Sequence, residues 1–330
     1  MEKNMKNRDL FLGIDTSNYK TSMALVTVEG EIVKDLRKFL VVAKGHKGLR
    51  QSDAVFQHIT NLPILAKELF LEHEGDRVLS ITASVKPRPI EGSYMPCFKA
   101  GESFGIGLAS ALNIPINMVS HQEGHIAAIQ ENSRFQDKNE FLVLHLSGGT
   151  TEVLLLKDSI SLLGGTKDIS YGQLIDRAGV KIGIPFPCGE ALDDIAFTIK
   201  SGSSQLKPIS ISNGWINLSG IDTQISRAIS ENECMEPEEQ VEIQKLLLKE
   251  LFDKISESLV RLITFWAANT GCHDILITGG VSSSKTIRRD LKEAFTDSPL
   301  NLEFGREELA SDNAVGLAFL GRKILCQKTQ

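Results

Sequence analysis

Two segments of the chain share one alternation of apolar and polar positions. Phe11 to Val26 (FLGIDTSNYKTSMALV) and Phe141 to Leu156 (FLVLHLSGGTTEVLLL) each run as an apolar strand, a turn rich in small polar residues, and a second apolar strand. Tight turns between strand patterns predict β-hairpins. One such hairpin near the start of each half predicts duplicated lobes. Between them the apolar spacing lengthens. Val55, Ile59, Leu62, Leu65 and Leu69 recur every three to four residues, which predicts a helix over 52–72. Leu79 to Val85 reads as a buried strand, and Ala100 to Leu112 as a buried helix. In the second half, Glu238 to Ala268 predicts a long amphipathic helix, entered at Pro237 and stopped by Asn269-Thr270-Gly271. Asp274 to Thr278 is a strand running into Gly279-Gly280, followed by a helix over Lys285 to Phe295. A last helix is expected over Ser311 to Leu325.

The length of 330 residues suits two domains. No low-complexity linker separates the halves, so the lobes are expected to be packed and hinged. A composition of 42% hydrophobic and 24% charged residues is that of a globular chain. No apolar run reaches bilayer length, and Met1 to Leu10 lacks the apolar core of a secretory signal, so a cytoplasmic protein without membrane partners is expected. Cys97, Cys188, Cys234, Cys272 and Cys326 are scattered and never form C-x-x-C, which argues against a disulfide framework or a thiolate zinc site. The net charge of −6 speaks against general nucleic-acid affinity. The local exception is Lys34 to Arg50, where six basic residues, including Lys44, Lys47 and Arg50, meet only Asp35. It is either a solvated face or an RNA-facing patch.

Candidate chemistry gathers at four places. Asp15 ends the first strand, where it either caps a turn or lies near phosphates and a metal. Ser147-Gly148-Gly149-Thr150-Thr151 is either a plain hairpin turn or an anion-binding nest of backbone N–H groups. Gly279-Gly280, between strand and helix, lets a nucleotide come close to backbone. Finally, His121 and His125 stand at i and i+4 in His-Gln-Glu-Gly-His, so both imidazoles fall on one helical face and could reach one metal. Glu123 lies roughly on the opposite face and is badly placed as a general base, so the metallopeptidase reading is weak.

The order His-x-Glu-Gly-His, Ser-Gly-Gly before a strand, Gly-Gly-Val, then Ser311-Asp312-Asn313 resembles the TsaD family, the tRNA N6-adenosine threonylcarbamoyltransferases. Gly172 to Arg177, Phe186-Pro187-Cys188-Gly189 and Ser219 to Thr223 resemble further family segments, and the likeness runs from about Leu12 to Leu325. It implies an α/β, two-lobed actin-like ATPase fold of the ASKHA type with an interlobe cleft. The first lobe would take 1–135, completed by 311–330, and the second 136–310. It implies one metal, iron or zinc, held by His121, His125 and Asp312, with no other catalytic residue assigned. It implies a nucleotide, ATP or threonylcarbamoyl-adenylate, with magnesium as a further ligand, at Asp15, Leu146 to Thr150, Asp176, Gly189, Gly279, Gly280 and Ser284. Its implied activity is transfer of threonylcarbamoyl from the adenylate to tRNA adenosine N6, with TsaB-like and TsaE-like partner proteins. Several family positions differ. Asn18-Tyr19-Lys20 replaces a segment with two acids, Thr150 replaces His, Gln173 replaces Glu, Asp222 replaces Lys, Ser284 replaces Asn, and Lys86 to Gly92 replaces a glycine-rich turn. A divergent paralogue that binds or hydrolyses ATP as a regulatory or partner subunit is therefore the alternative.

Overall fold

The computed structural model describes residues 8–17, 19–42, 49–71, 75–131, 133–232, 234–309 and 313–328. The chain divides into two compact units, Met1–Gln136 with Ser311–Gln330, and Asp137–Ala310. In the first unit the strands are Asp9–Asp15 (β1), Lys20–Thr27 (β2), Ile32–Phe39 (β3), Arg77–Lys86 (β4) and Ile116–Ser120 (β5). Its helices are Gln51–Leu71 (α1), Phe98–Leu112 (α2) and His121–Gln130 (α3). The second unit carries Phe141–Leu146 (β6), Thr151–Leu156 (β7), Ile160–Thr166 (β8), Ile211–Ser212 (β9), Trp215–Ile216 (β10), Asp274–Thr278 (β11) and Asn301–Phe304 (β12). Its helices are Tyr171–Lys181 (α4), Gly189–Thr198 (α5), Ser219–Glu231 (α6), Pro237–Thr270 (α7) and Lys285–Ala294 (α8). The chain then returns to the first unit as Val315–Lys328 (α9).

The two sheets repeat one plan. The first has the order β3-β2-β1-β4-β5, and the second contains β8-β7-β6-β11-β12, extended beyond β8 by β10 and β9. In each, three strands form an antiparallel meander and two further strands join in parallel. The expected hairpins are β1–β2 and β6–β7, with Asp15 opposite Ser22 and Leu146 opposite Thr151.

Side-chain alternation explains the layering of the first unit. Leu10, Leu12 and Ile14 of β1 and Met23 and Leu25 of β2 share a core with Leu62, Leu65 and Leu69 of α1. Burying each such side chain contributes about 1.5–3 kcal/mol. The other face of β1 and β4 carries Phe11 beside Gly13, Asp15, Ser80, Thr82 and Ser84, and lies under α3 and α9. There helix and strand backbones meet closely. A Cβ on Gly316 of α9 would stand 1.9 Å from the Gly124 carbonyl oxygen of α3, and one on Gly13 of β1 would stand 2.0 Å from the Ala314 oxygen. Asn313 accepts from the N–H groups of Val315 and Gly316 at the start of α9; Ser311, where the last helix was expected to begin, lies outside the described residues. In the second unit, Phe252, Ile255, Leu259 and Ile263 of α7 are buried along with Val143, Leu144, Ile275 and Ile277 of the sheet.

Candidate functional site

In the first unit the histidine pair is set by a helix start. Ser120 caps α3: its hydroxyl accepts from Glu123 N–H, while Glu123 accepts in return from Ser120 N–H. This reciprocal capping box fixes the first turn. It also commits Glu123 to its own helix end. His121 and His125 then project from one face, with ring centroids 4.3 Å apart and their Nε2 atoms 2.9 Å apart. Two nitrogens held on one zinc at about 2.0–2.1 Å with a tetrahedral angle are roughly 3.3 Å apart, so the pair converges as a metal-binding pair does. On the far side of the ring, His121 Nδ1 lies 3.0 Å from Asp15 Oδ1. Asp15 is wholly buried and also accepts from Ser84 (2.5 Å) and Ser17 (2.5 Å). Phe98 lies 6.0 Å from the His121 ring. The residues described thus fit a metal. Asp312 lies outside the described residues, and among those described no third metal-ligating side chain joins the pair.

The second unit holds a cavity of about 530 Å³. Five of the sequence-chosen residues line it: Gly148, Asp176, Gly189, Gly280 and Ser284. A Cβ added to Gly148, Gly189 or Gly280 would meet nothing within 4 Å, so the missing side chains keep this space open. Gly279 serves differently. Its φ of 94° is left-handed, and a Cβ there would lie 2.4 Å from the Leu146 carbonyl oxygen. Leu146 itself is buried. The Ser147–Thr150 turn closes on itself. The two hydroxyls are 2.8 Å apart, and Thr150 N–H donates to Ser147 Oγ. The Gly148 carbonyl accepts from Ser170 Oγ at 2.7 Å, so what the turn leaves to a ligand is the N–H groups at Gly148-Gly149.

Asp176 projects from α4, another helix begun by a reciprocal cap, with Gln173 accepting from Ser170 N–H. The glutamine keeps the hydrogen bond a glutamate would make there. One Asp176 oxygen accepts from Cys188 N–H at 2.8 Å, and burial pushes the Cys188 thiol up. Asp222 is held by Lys181 (2.5 Å) and Arg177 (3.1 Å). Sequence reasoning missed Asp193, which lines the cavity and accepts from Ser284 Oγ, Lys285 N–H and Thr286 N–H. Ser284 in turn accepts from Ile287 N–H as the cap of α8. The first N–H groups of α8 are therefore already satisfied by a carboxylate. The glycine pair offers a ligand room, and the helix end offers it no anion site. The S-x-x-E and S-x-x-Q spacings at Ser120 and Ser170 were the available signals for both capped helices.

Of the basic strip, Arg50 is exposed ahead of α1, while Lys44 and Lys47 lie outside the described residues. No helix among the described residues is long and apolar enough to cross a membrane.

The comparisons agree with this layout. HypF of T. kodakarensis superimposes with a TM-score of 0.62 over 99% of this chain and 49% of its own, at 14% identity. A ROK family transcriptional regulator gives 0.55, covering 99% of this chain and 82% of its own, also at 14%. With the repeated sheet order, these likenesses show the two-lobed actin-like ATPase fold. Among sequences, a tRNA N6-adenosine threonylcarbamoyltransferase of Neorickettsia sennetsu is 27% identical over 95% of this chain and 93% of its own length. One of Chlamydia felis is 29% identical over 97% and 93%. The family model described as tRNA N6-adenosine threonylcarbamoyltransferase matches residues 49–319, a span that contains the histidine pair, the capped helices and the glycine-lined cavity, and the chain belongs to that TsaD family.

Proposed function

We propose that this protein transfers a threonylcarbamoyl group from its adenylate to N6 of the adenosine beside the tRNA anticodon, with TsaB-like and TsaE-like partners. The observation that carries the reading is the family match spanning both the convergent histidines and the cavity. In this reading the adenosine of the donor occupies the cavity of the second unit. Gly189 and Gly280 admit it, Asp176 accepts from ribose hydroxyls, and the N–H groups at Gly148-Gly149 face developing negative charge. ATP would occupy the same cavity. His121, His125 and Asp312 would hold one iron or zinc ion, which would supply Lewis acidity. The adenosine amine attacks the carbamoyl carbon, the bond to the phosphate oxygen breaks, AMP leaves, and the amine's proton passes to solvent.

A second reading rests on the turn at Ser147–Thr150, where the family's histidine is absent and the two hydroxyls pair with each other. There the chain binds or hydrolyses ATP as a regulatory subunit and transfers nothing. Reconstitution decides between them. The protein, its partner proteins, the adenylate donor and unmodified tRNA are combined, and digested nucleosides are read by mass spectrometry. The expected product is threonylcarbamoyladenosine, lost in the His121→Ala, His125→Ala double variant. ATP binding without any modified nucleoside would establish the regulatory reading instead.

A further inference from the structure

Building on the metal reading above, we propose that Asp15 is a positioning residue: it holds the His121 imidazole with its proton on Nδ1, so that Nε2 presents its lone pair to the metal. The carboxylate stands at the end of β1, fully buried. A buried carboxylate is stable only when its oxygens accept hydrogen bonds. Asp15 receives them from three directions. Ser17 Oγ donates to Oδ2 from the turn that follows β1, Ser84 Oγ donates to Oδ1 from the parallel strand β4, and His121 Nδ1 stands 3.0 Å from Oδ1.

An ionised carboxylate only accepts, so the contact with His121 requires the proton to sit on Nδ1. In the neutral imidazole that a metal requires, Nε2 is then the unprotonated nitrogen. It is also the atom turned toward His125, at 2.9 Å, and in that contact the proton belongs to His125 Nε2. The arrangement is a carboxylate, an imidazole and a ligand-facing nitrogen in line, which fixes both tautomer and ring direction. Asp15 was expected to cap a turn or to meet phosphates and metal directly. Its acceptance from Ser17 is a turn cap, and its contact with His121 gives it a further task.

The tautomer can be read without metal or activity. Long-range ¹H–¹⁵N correlation spectra of the metal-free protein should place the His121 proton on Nδ1 and the His125 proton on Nε2. Zinc affinity, measured by competition with a chromophoric chelator, should fall about ten- to a hundredfold in Asp15→Asn, whose amide can donate to Nδ1 and favour the wrong tautomer. ATP affinity should change less than about twofold. Ser84→Ala removes one donor to the same oxygen and should weaken zinc binding in the same direction by less. It also serves if Asp15→Asn does not fold by circular dichroism. A His121 proton on Nε2 in the wild type overturns the proposal. So does unchanged zinc affinity with lost ATP affinity in Asp15→Asn, which makes the carboxylate a nucleotide ligand. If the His121→Ala, His125→Ala double variant binds zinc like the wild type, the metal reading fails, and the tautomer spectrum still decides the role of Asp15.

Discussion

Acid should destabilise the first unit through one histidine that takes no part in the chemistry. His58 of α1 is completely buried. Its Nδ1 lies 2.8 Å from Thr21 Oγ1, which also accepts from Asn61 Nδ2 at 3.1 Å. Its Nε2 is buried, with no hydrogen-bond partner among the described residues. A second ring proton would have to enter this buried pocket. Burial therefore pushes the imidazole down from 6.5 to about 4, against the opposing pull of the Asp15 carboxylate. As pH falls through 6.5 the unfolded chain takes up the proton and the folded chain does not. The unfolded state then binds more protons, so stability declines with falling pH until the folded value near 4 is passed. Between pH 7 and 4.5 the two values imply a loss of about 2–3 kcal/mol. Hydrogen exchange of β1, β2 and α1 amides, converted to opening free energies, measures it. His58→Gln cannot titrate and should lose that much less over the same interval. Parallel pH profiles for wild type and variant would refute the assignment.

Gly280→Val should leave the protein folded, because its new Cβ meets no atom, and should lower ATP affinity at least about tenfold by calorimetry as the side chain fills the cavity. Gly279→Val should instead unfold the second unit, since it combines a left-handed φ with a 2.4 Å approach to the Leu146 oxygen. Unchanged ATP affinity in folded Gly280→Val would remove the nucleotide from this cavity. Replacing Lys44, Lys47 and Arg50 together by Glu should weaken tRNA binding in the reconstituted system, flatten its dependence on salt and leave ATP and zinc binding alone. Equal modification of tRNA by that variant would make the strip a solvated face.

Local pattern carried much of the fold. The β6–β7 hairpin and β11 fall where apolar alternation put them, and α1, α2, α7 and α8 lie within a few residues of their expected bounds. Their signals are short-range: a period, a proline, a glycine stop. The parallel additions were harder to see, since β5 is short and only partly apolar, and its pairing with β4 spans a helix. The same limit applies to the site. The i, i+4 spacing displayed the histidines, but no spacing links Asp15 to Ser84 and His121, residues joined only when β1, β4 and the start of α3 come together. Asp193 was invisible for a similar reason: its partners at the start of α8 lie about ninety residues away. The turn at Ser147–Thr150 was legible as a hairpin, but the pairing of its two hydroxyls with each other was not, because spacing alone does not say which partner a hydroxyl takes.

The glycine contact of α9 with α3 and β1 has a consequence for synthesis on the ribosome. The second unit is one continuous stretch, Asp137–Ala310, and can fold as soon as that stretch has emerged. The first unit cannot. Its sheet is made early, but the face under α3 and α9 stays open until Gly316 and its neighbours arrive, some two hundred residues after His121. During that interval β1 and α3 expose the backbone that Ala314 and Gly316 later cover at van der Waals distance. The nascent chain therefore holds a finished nucleotide-sized cavity before it holds a finished histidine site, and a chain cut short ahead of α9 would keep the first without the second.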